Sequence, residues 1–317
     1  MNRPQHSLSG FRRYMQMSRH SLFVLVEGKE VDPFFYSGLL RPVCAALGSS
    51  CDIVRADFVT GTGGKQTLLQ LHKYLESVGS LILQVGSVRK SCIFYLDKDI
   101  DDLLGKLVLS KHVVYTPFYC VENVLFVYGR IVRAAAAASS LDPENLERRI
   151  PDGNDWRRQS AENWKEFLVL SLLSQRLGVN CDCHYARTTS PLNVPPEAPT
   201  DLARASAIRT DLQVRSGLNR RSFDLRLGAI RRYVDCVYQQ GRHDRLFNGK
   251  WYFELLRREI NIAAGGRRYN SPPTTALTAA LGLTLDFEGS WSEPFRQPLR
   301  DLIGTPSPPP GGWTSLR

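Results

Sequence analysis

The sequence predicts an α/β protein: a parallel sheet flanked by helices, followed by a mainly helical region. Three observations carry this. Short apolar runs at Leu22–Val26, 53–58, 91–96 and 113–116 read as buried strands. Segments of helical periodicity alternate with them, and strand–helix–strand alternation implies parallel pairing through right-handed crossovers. After about residue 130 the strand pattern stops and only helical periodicity continues.

Taken in order, residues 1–20 are polar and basic, with Arg12, Arg13 and Arg19, and read as an arm or a short helix. After the strand Leu22–Val26, Pro33 suits the first turn of a helix whose apolar spacing is set by Phe34, Phe35 and Leu39. The glycines Gly61, Gly63 and Gly64 turn the chain into a helix over 66–83, with Leu68, Leu69, Leu71, Tyr74 and Leu75 on one side. A short helix is expected over 101–109. Six further helices are expected over 122–138, 155–177, 198–212, 221–239, 251–264 and 273–281. The tail carries Pro306, Pro308, Pro309 and Pro310 and reads as extended or disordered. The expected organisation is a basic arm (1–20), an α/β domain (21–130), a mainly helical substrate- or partner-binding domain (131–303) and a Pro/Gly-rich tail (304–317).

At 317 residues, with 43% hydrophobic and 23% charged residues, the chain is of ordinary globular composition and long enough for a sizeable core. The net charge of +10 is uneven: residues 1–129 hold 14 Lys/Arg against 11 Asp/Glu, and the rest 27 against 20. A basic surplus favours polyanionic partners through counterion release, although mildly basic proteins without such partners are common. No apolar run is long enough for a signal h-region or a membrane span. Seven cysteines at irregular spacing point to a reducing cytoplasm without structural disulfides. Cys181-Asp182-Cys183-His184 is tighter than zinc spacing and has no second Cys/His pair nearby.

The chemistry concentrates at strand ends. Glu27 follows the first apolar run, and Asp97-Lys98-Asp99 follows the third. In an open α/β sheet, side chains just past the carboxyl ends of neighbouring strands converge on one crevice, so Glu27, Asp97 and Asp99 are expected to meet. Like charges 4 Å apart near a surface repel by about 4 kcal/mol. A hard divalent cation such as Mg²⁺ removes that cost and prefers carboxylate and water oxygens. In an extended Asp97-Lys98-Asp99 segment, alternation turns Lys98 away from the two acids. Gly61-Thr62-Gly63-Gly64-Lys65 lacks both the Walker spacing and the dinucleotide fingerprint. It reads as a tight turn, or as a helix start whose N–H groups, with Lys65, hold a phosphate.

Val26-Glu27-Gly28-Lys29 followed by Asp97-Lys98-Asp99 resembles a Toprim domain, the metal-binding module of primases, topoisomerases and OLD-type nucleases. The finer resemblance is to a Toprim-like, OLD/PARIS-effector-like family formerly of unknown function, found in bacterial anti-phage defence systems, often beside ABC-type ATPases. It is carried by the Gly61–Lys65 segment, by Tyr95-Leu96-Asp97-Lys98-Asp99, and by Thr116 followed by Glu122-Asn123. It covers roughly residues 20 to 130. The resemblance implies a Toprim/Rossmann-like sheet in which Asp97 and Asp99 hold Mg²⁺ or Mn²⁺. Glu27 shares the metal or acts as general acid/base, and Lys29 and Lys65 stabilise phosphoryl charge. Glu122 is implied as a supporting residue. Many Toprim chains carry a further acid four residues after the Glu. Here that position is Val31, and Glu30 and Asp32 flank it, Asp32 being taken as a supporting residue.

Arg231, Arg232, Arg257 and Arg258, with Arg226, Arg267 and Arg268, interleave with Tyr233, Tyr238, Trp251, Tyr252, Phe253 and Tyr269. Arginine beside aromatics suits phosphate contact with base stacking. The same pattern also arises in amphipathic helices with an aromatic core face. The expected function is a divalent-metal-dependent nuclease acting on DNA or RNA, with tRNA among the candidates, as the regulated effector of a defence system. The alternative is a non-catalytic Toprim-like module docking on an ABC-type ATPase or a retron complex. Expected partners are a nucleic acid and a defence-system protein; a homo-oligomer stays open.

Overall fold

The computed structural model describes residues 7–61, 63–265 and 270–304. The expected tail beyond Gly304, Thr62, and Arg267, Arg268 and Tyr269 lie outside them. The first elements are α1 (Leu8–Met17), β1 (Leu22–Val26), α2 (Val31–Ala46), β2 (Cys51–Arg55), α3 (Ala56–Thr60), α4 (Lys65–Ser77), β3 (Ile82–Val85) and β4 (Val88–Leu96). Then come α5 (Asp101–Leu104), β5 (Val113–Tyr115), α6 (Val121–Tyr128), α7 (Ile131–Ser139), α8 (Pro143–Glu147), α9 (Gly153–Asn163) and α10 (Lys165–Leu177). The last are α11 (Leu202–Ser216), α12 (Arg220–Gln239), α13 (Gly249–Ala263), α14 (Thr274–Leu283) and α15 (Glu293–Gly304). Among the described residues no helix is long and apolar enough to cross a membrane.

The chain divides into two compact units. The first comprises the described residues within 1–97, 108–116 and 287–317, the second those within 98–107 and 117–286. The division does not follow a single cut at residue 130. Helix α6 belongs to the second unit and α15 returns to the first.

The first unit is α/β. Its sheet runs β2-β1-β4-β3, and β5 also pairs with β4. Strand β1 pairs in parallel with both β2 and β4, which explains its unbroken apolar run: both faces are covered. Phe23 and Leu25 of β1 and Cys92, Phe94 and Leu96 of β4 face a core built with α1, α3 and α4. On the opposite side Tyr95 meets Tyr36 of α2 and Phe295 of α15, and Phe35 packs on Phe287, Trp291 and Phe295. Gly38 admits this packing, since a Cβ there would lie 2.8 Å from the Phe287 ring. Lys90 is buried and its ammonium donates to the carbonyls of Met15, Gln16 and Ser18, satisfying the C-terminal end of α1.

The sheet is mixed, which corrects the expectation of a parallel one. Helix α4 ends at Ser77, where Gly79 takes a left-handed φ of +61. Ile82 and Leu83, expected as the end of that helix, instead begin β3, which pairs antiparallel with β4. Gly86, with φ +59, is the first central residue of that hairpin, the position where a II′ turn needs glycine. Strand β4 is therefore shared, pairing with β3 along its first half and with parallel β5 along its second. Strand β2 stops at Arg55, and the rest of the expected strand is α3.

The second unit is helical. The helix expected over 122–138 is two helices, α6 and α7, interrupted at Gly129-Arg130. The one expected over 155–177 is α9 and α10, joined through Trp164. Helix α5 is shorter than expected because Gly105, at φ +65, ends it.

In the first unit His112 Nδ1 lies 2.7 Å from the Cys92 carbonyl, so that nitrogen carries the proton, and His72 Nε2 lies 3.1 Å from Ser110 Oγ. Burial holds both imidazoles below their ordinary value of 6.5. The unfolded chain therefore takes up protons first as the pH falls, and folding stability is lost progressively below about 6.5. The melting temperature should fall on acidification through that range, and less steeply in a His72→Gln/His112→Gln chain. Identical slopes in the two proteins would show that the imidazoles do not couple to folding.

Candidate functional site

The carboxyl ends of β1 and β4 lie side by side, because Val26 pairs with Tyr95 in the parallel register. Glu27 follows β1 directly, and Asp97 follows β4. The Asp97 N–H has passed the end of the ladder, and it donates to Glu27 Oε1 at 2.7 Å. The acid thus bridges two strand ends with a charge-assisted bond, worth about 1.5–3 kcal/mol. The expected meeting of Glu27 and Asp97 is present.

Asp32 joins them. It sits in the first turn of α2, where the helix dipole favours a carboxylate, and it is buried. Its Oδ2 accepts the Gly28 N–H at 2.7 Å, holding the turn after β1. Glycine is required here by proximity: a Cβ on residue 28 would lie 2.8 Å from Asp32 Oδ1. Gly28→Ala should displace that carboxylate and cost about 1–3 kcal/mol. A denaturation midpoint equal to the wild type's would mean that Asp32 is not anchored at this turn.

Tyr36 lies one helical turn beyond Asp32 and was not among the expected site residues. Its phenol is fully buried and is held neutral well above its ordinary range. Burial is the main cause, and the carboxylates of Asp32, Asp97 and Glu27 add to it. Three acids therefore act on one phenol. Only the i, i+4 spacing from Asp32 marks Tyr36 in the sequence, and an aromatic at that spacing reads as core.

Lys29 is exposed, and its ammonium lies 3.7 Å from Asp57, which Arg55 also grips through two bonds. Gly61 (φ +78) ends α3 and Gly64 (φ +97) precedes α4, so two of the motif's glycines serve left-handed backbone. Lys65 is the first residue of α4.

Asp99 belongs to the second unit. It adopts φ +51, and its N–H donates to the Tyr119 carbonyl at 2.7 Å. The extended Asp97-Lys98-Asp99 backbone assumed in the sequence reading is therefore not present. Lys98 is buried and bonds the Pro117 carbonyl at 2.7 Å. Burial, with Arg245 and Arg242 nearby, lowers its amine to about 8. Among the described residues, no group of three or more His, Cys, Asp or Glu side chains stands in metal-holding geometry. Glu27, Asp32 and Asp97 each offer carboxylate oxygens, the donor type a hard divalent cation prefers, without forming such a group.

Glu122 lies in the first turn of α6, 3.9 Å from Lys250. Its neighbour Asn123 is a structural hub. Asn123 Oδ1 accepts the N–H groups of Cys120 and Gly249 at 3.2 and 3.0 Å, and its Nδ2 donates to the Phe247 carbonyl at 2.9 Å. Of the four arginines expected to contact nucleic acid, Arg231 grips both oxygens of Glu166, Arg258 bonds Glu197 at 2.7 Å, and Arg257 lies 3.7 Å from Glu254. Arg232 is exposed on α12 beside Arg220 and Arg221. The interleaved aromatics Tyr238, Trp251, Tyr252 and Phe253 are buried, which corrects the base-stacking expectation for them. The amphipathic faces of α12 and α13 place them in the core. Cys181 Sγ bonds the Cys183 carbonyl at 3.0 Å in a local turn.

No protein-family model matches the chain, and a comparison with curated proteins finds no match.

Proposed function

We propose that the protein is a divalent-metal-dependent nuclease of Toprim type, the regulated effector of a bacterial anti-phage system working in the cytoplasm. The observation that supports this most is the pairing of Glu27 and Asp97 at the carboxyl ends of adjacent parallel strands, with Asp32 buried beside them. In this reading Glu27 and Asp97 hold Mg²⁺ or Mn²⁺; the role of Asp99 rests on the resemblance alone. The ion, when bound, polarises the scissile phosphate and lowers the pKa of a bound water. Glu27 positions the Asp97 backbone and takes or returns a proton. Asp32 fixes the turn that carries Glu27. Lys29 is exposed enough to exchange Asp57 for a phosphate oxygen, and Lys65 stands at the start of α4, where the helix dipole favours an anion.

The absence of a preformed three-acid group among the described residues favours a second reading, a non-catalytic module that docks on an ABC-type ATPase or a retron complex. One assay separates them. Purified protein is incubated with plasmid DNA and with total tRNA, with Mg²⁺, with Mn²⁺ or with a chelator, and with and without the product of the neighbouring gene. Metal-dependent cleavage of either substrate is expected. No cleavage in any combination, with the neighbour bound in a pull-down, would establish the docking module instead.

A further inference from the structure

We propose that the helical unit carries a binding site for a small organic anion, a single phosphate, sulfonate or carboxylate on an apolar or aromatic body, in the cavity lined by α5, α10 and α12. The cavity holds about 310 Å³, at the lower end of the range for small-molecule sites. Its apolar surface comes from Leu103, Leu172 and Ile230, and its polar groups are Arg176, Arg226 and Tyr233. Helical spacing builds it. Leu172 and Arg176 are one turn apart on α10, and Arg226, Ile230 and Tyr233 follow one another along α12. Both helices thus present an apolar position and a cation to the same space.

The charge around this cavity is unbalanced. The Tyr233 phenol senses Arg176, Arg242 and Arg245, with Asp102 as the opposing carboxylate. Asp102 is already engaged by Arg245 at 3.2 Å. Among the described residues, Arg226 and Arg242 are in no ion pair, and Arg176 is fixed at the cavity by its bond to the Leu103 carbonyl at 3.0 Å. Crowding of cations is also what helps to weaken the Lys98 amine. An anion entering beside Arg176 and Arg226 relieves this repulsion, and its apolar body covers Leu172 and Ile230. A bare polyanion backbone would satisfy the charges but leave the apolar surface uncovered. This site stands whether or not the acid cluster cleaves nucleic acid.

The test is fluorescence titration of the full chain with 8-anilinonaphthalene-1-sulfonate, an aromatic body bearing one sulfonate. One saturable site is expected. Two variants locate it. Arg176→Glu/Arg226→Glu reverses the charge, and Ala229→Trp fills the cavity from an exposed position of α12 while leaving both arginines in place. Each should weaken binding at least fivefold with an unchanged far-UV circular dichroism spectrum. If the charge reversal unfolds the protein, Ala229→Trp decides alone. No saturable binding, or a loss of less than fivefold in a folded variant, overturns the site.

Discussion

Glu27→Gln and Asp97→Asn are each expected to lower metal-dependent cleavage of nucleic acid by about a hundredfold or more, the scale of removing one group that stabilises transition-state charge. Both substitutions keep size and hydrogen-bonding shape. The amide introduced by Glu27→Gln retains a side-chain oxygen for the Asp97 N–H, so the bridge between the ends of β1 and β4 survives in neutral form. What is lost is the negative charge that a divalent cation requires. Calorimetric titration with Mn²⁺ separates the two consequences: metal affinity should fall in both variants while circular dichroism stays native. Full cleavage by either folded variant would remove that residue from the catalytic assignment. Cleavage lost with Mn²⁺ affinity unchanged would leave Glu27 as a proton-transfer group rather than a ligand.

Asp244→Ala should destabilise the protein by about 3–5 kcal/mol, the cost of removing one partner of a buried ion pair. Asp244 and Arg157 are both buried, and Asp244 Oδ2 receives Arg157 Nη1. Its other oxygen accepts the Tyr252 hydroxyl at 3.0 Å and Asn123 Nδ2 at 3.3 Å. Truncation would strand a guanidinium whose Nε already lacks a partner among the described residues. It would also remove the acceptor that links α6 to α13. Asp244→Asn, which keeps two of the three contacts in shape but not the charge, should fall between. Urea denaturation reads both. A loss under about 1 kcal/mol for the alanine variant would mean that water reaches Arg157 and that the network is not a dry core.

The family resemblance implies that Glu122-Asn123 supports a metal cluster, while its position alone reads as the first turn of a helix. In the structure Asn123 is the residue that ties the start of α6 to the start of α13. Gly249 must be glycine because a Cβ there would lie 2.5 Å from the Asn123 nitrogen. A polar pair before an apolar helix looks alike in sequence whether it serves a site or a core, because its partners Phe247 and Gly249 lie more than a hundred positions away.

Local signals determined much of this protein from sequence alone. The continuous apolar run Leu22–Val26 specified a strand buried on both faces, and the acids after it and after β4 specified where two strand ends meet. The 3.6-residue apolar spacing of α12 determined its extent to within a residue, since a buried stripe along a helix is written in the positions themselves. Tertiary structure decided the rest. Whether residues 82 and 83 ended the helix or opened a strand depended on pairing with β4, and their apolar side chains suit both. That α15 belongs to the first unit depended on Phe295 meeting Phe35, Tyr36 and Tyr95, contacts that span 200 residues or more. That the charges of three carboxylates act on Tyr36 depended on the register of β1 against β4 and the entry of α2. Periodicity records which face of an element is buried. It does not record what the buried face meets, and that depends on long-range packing.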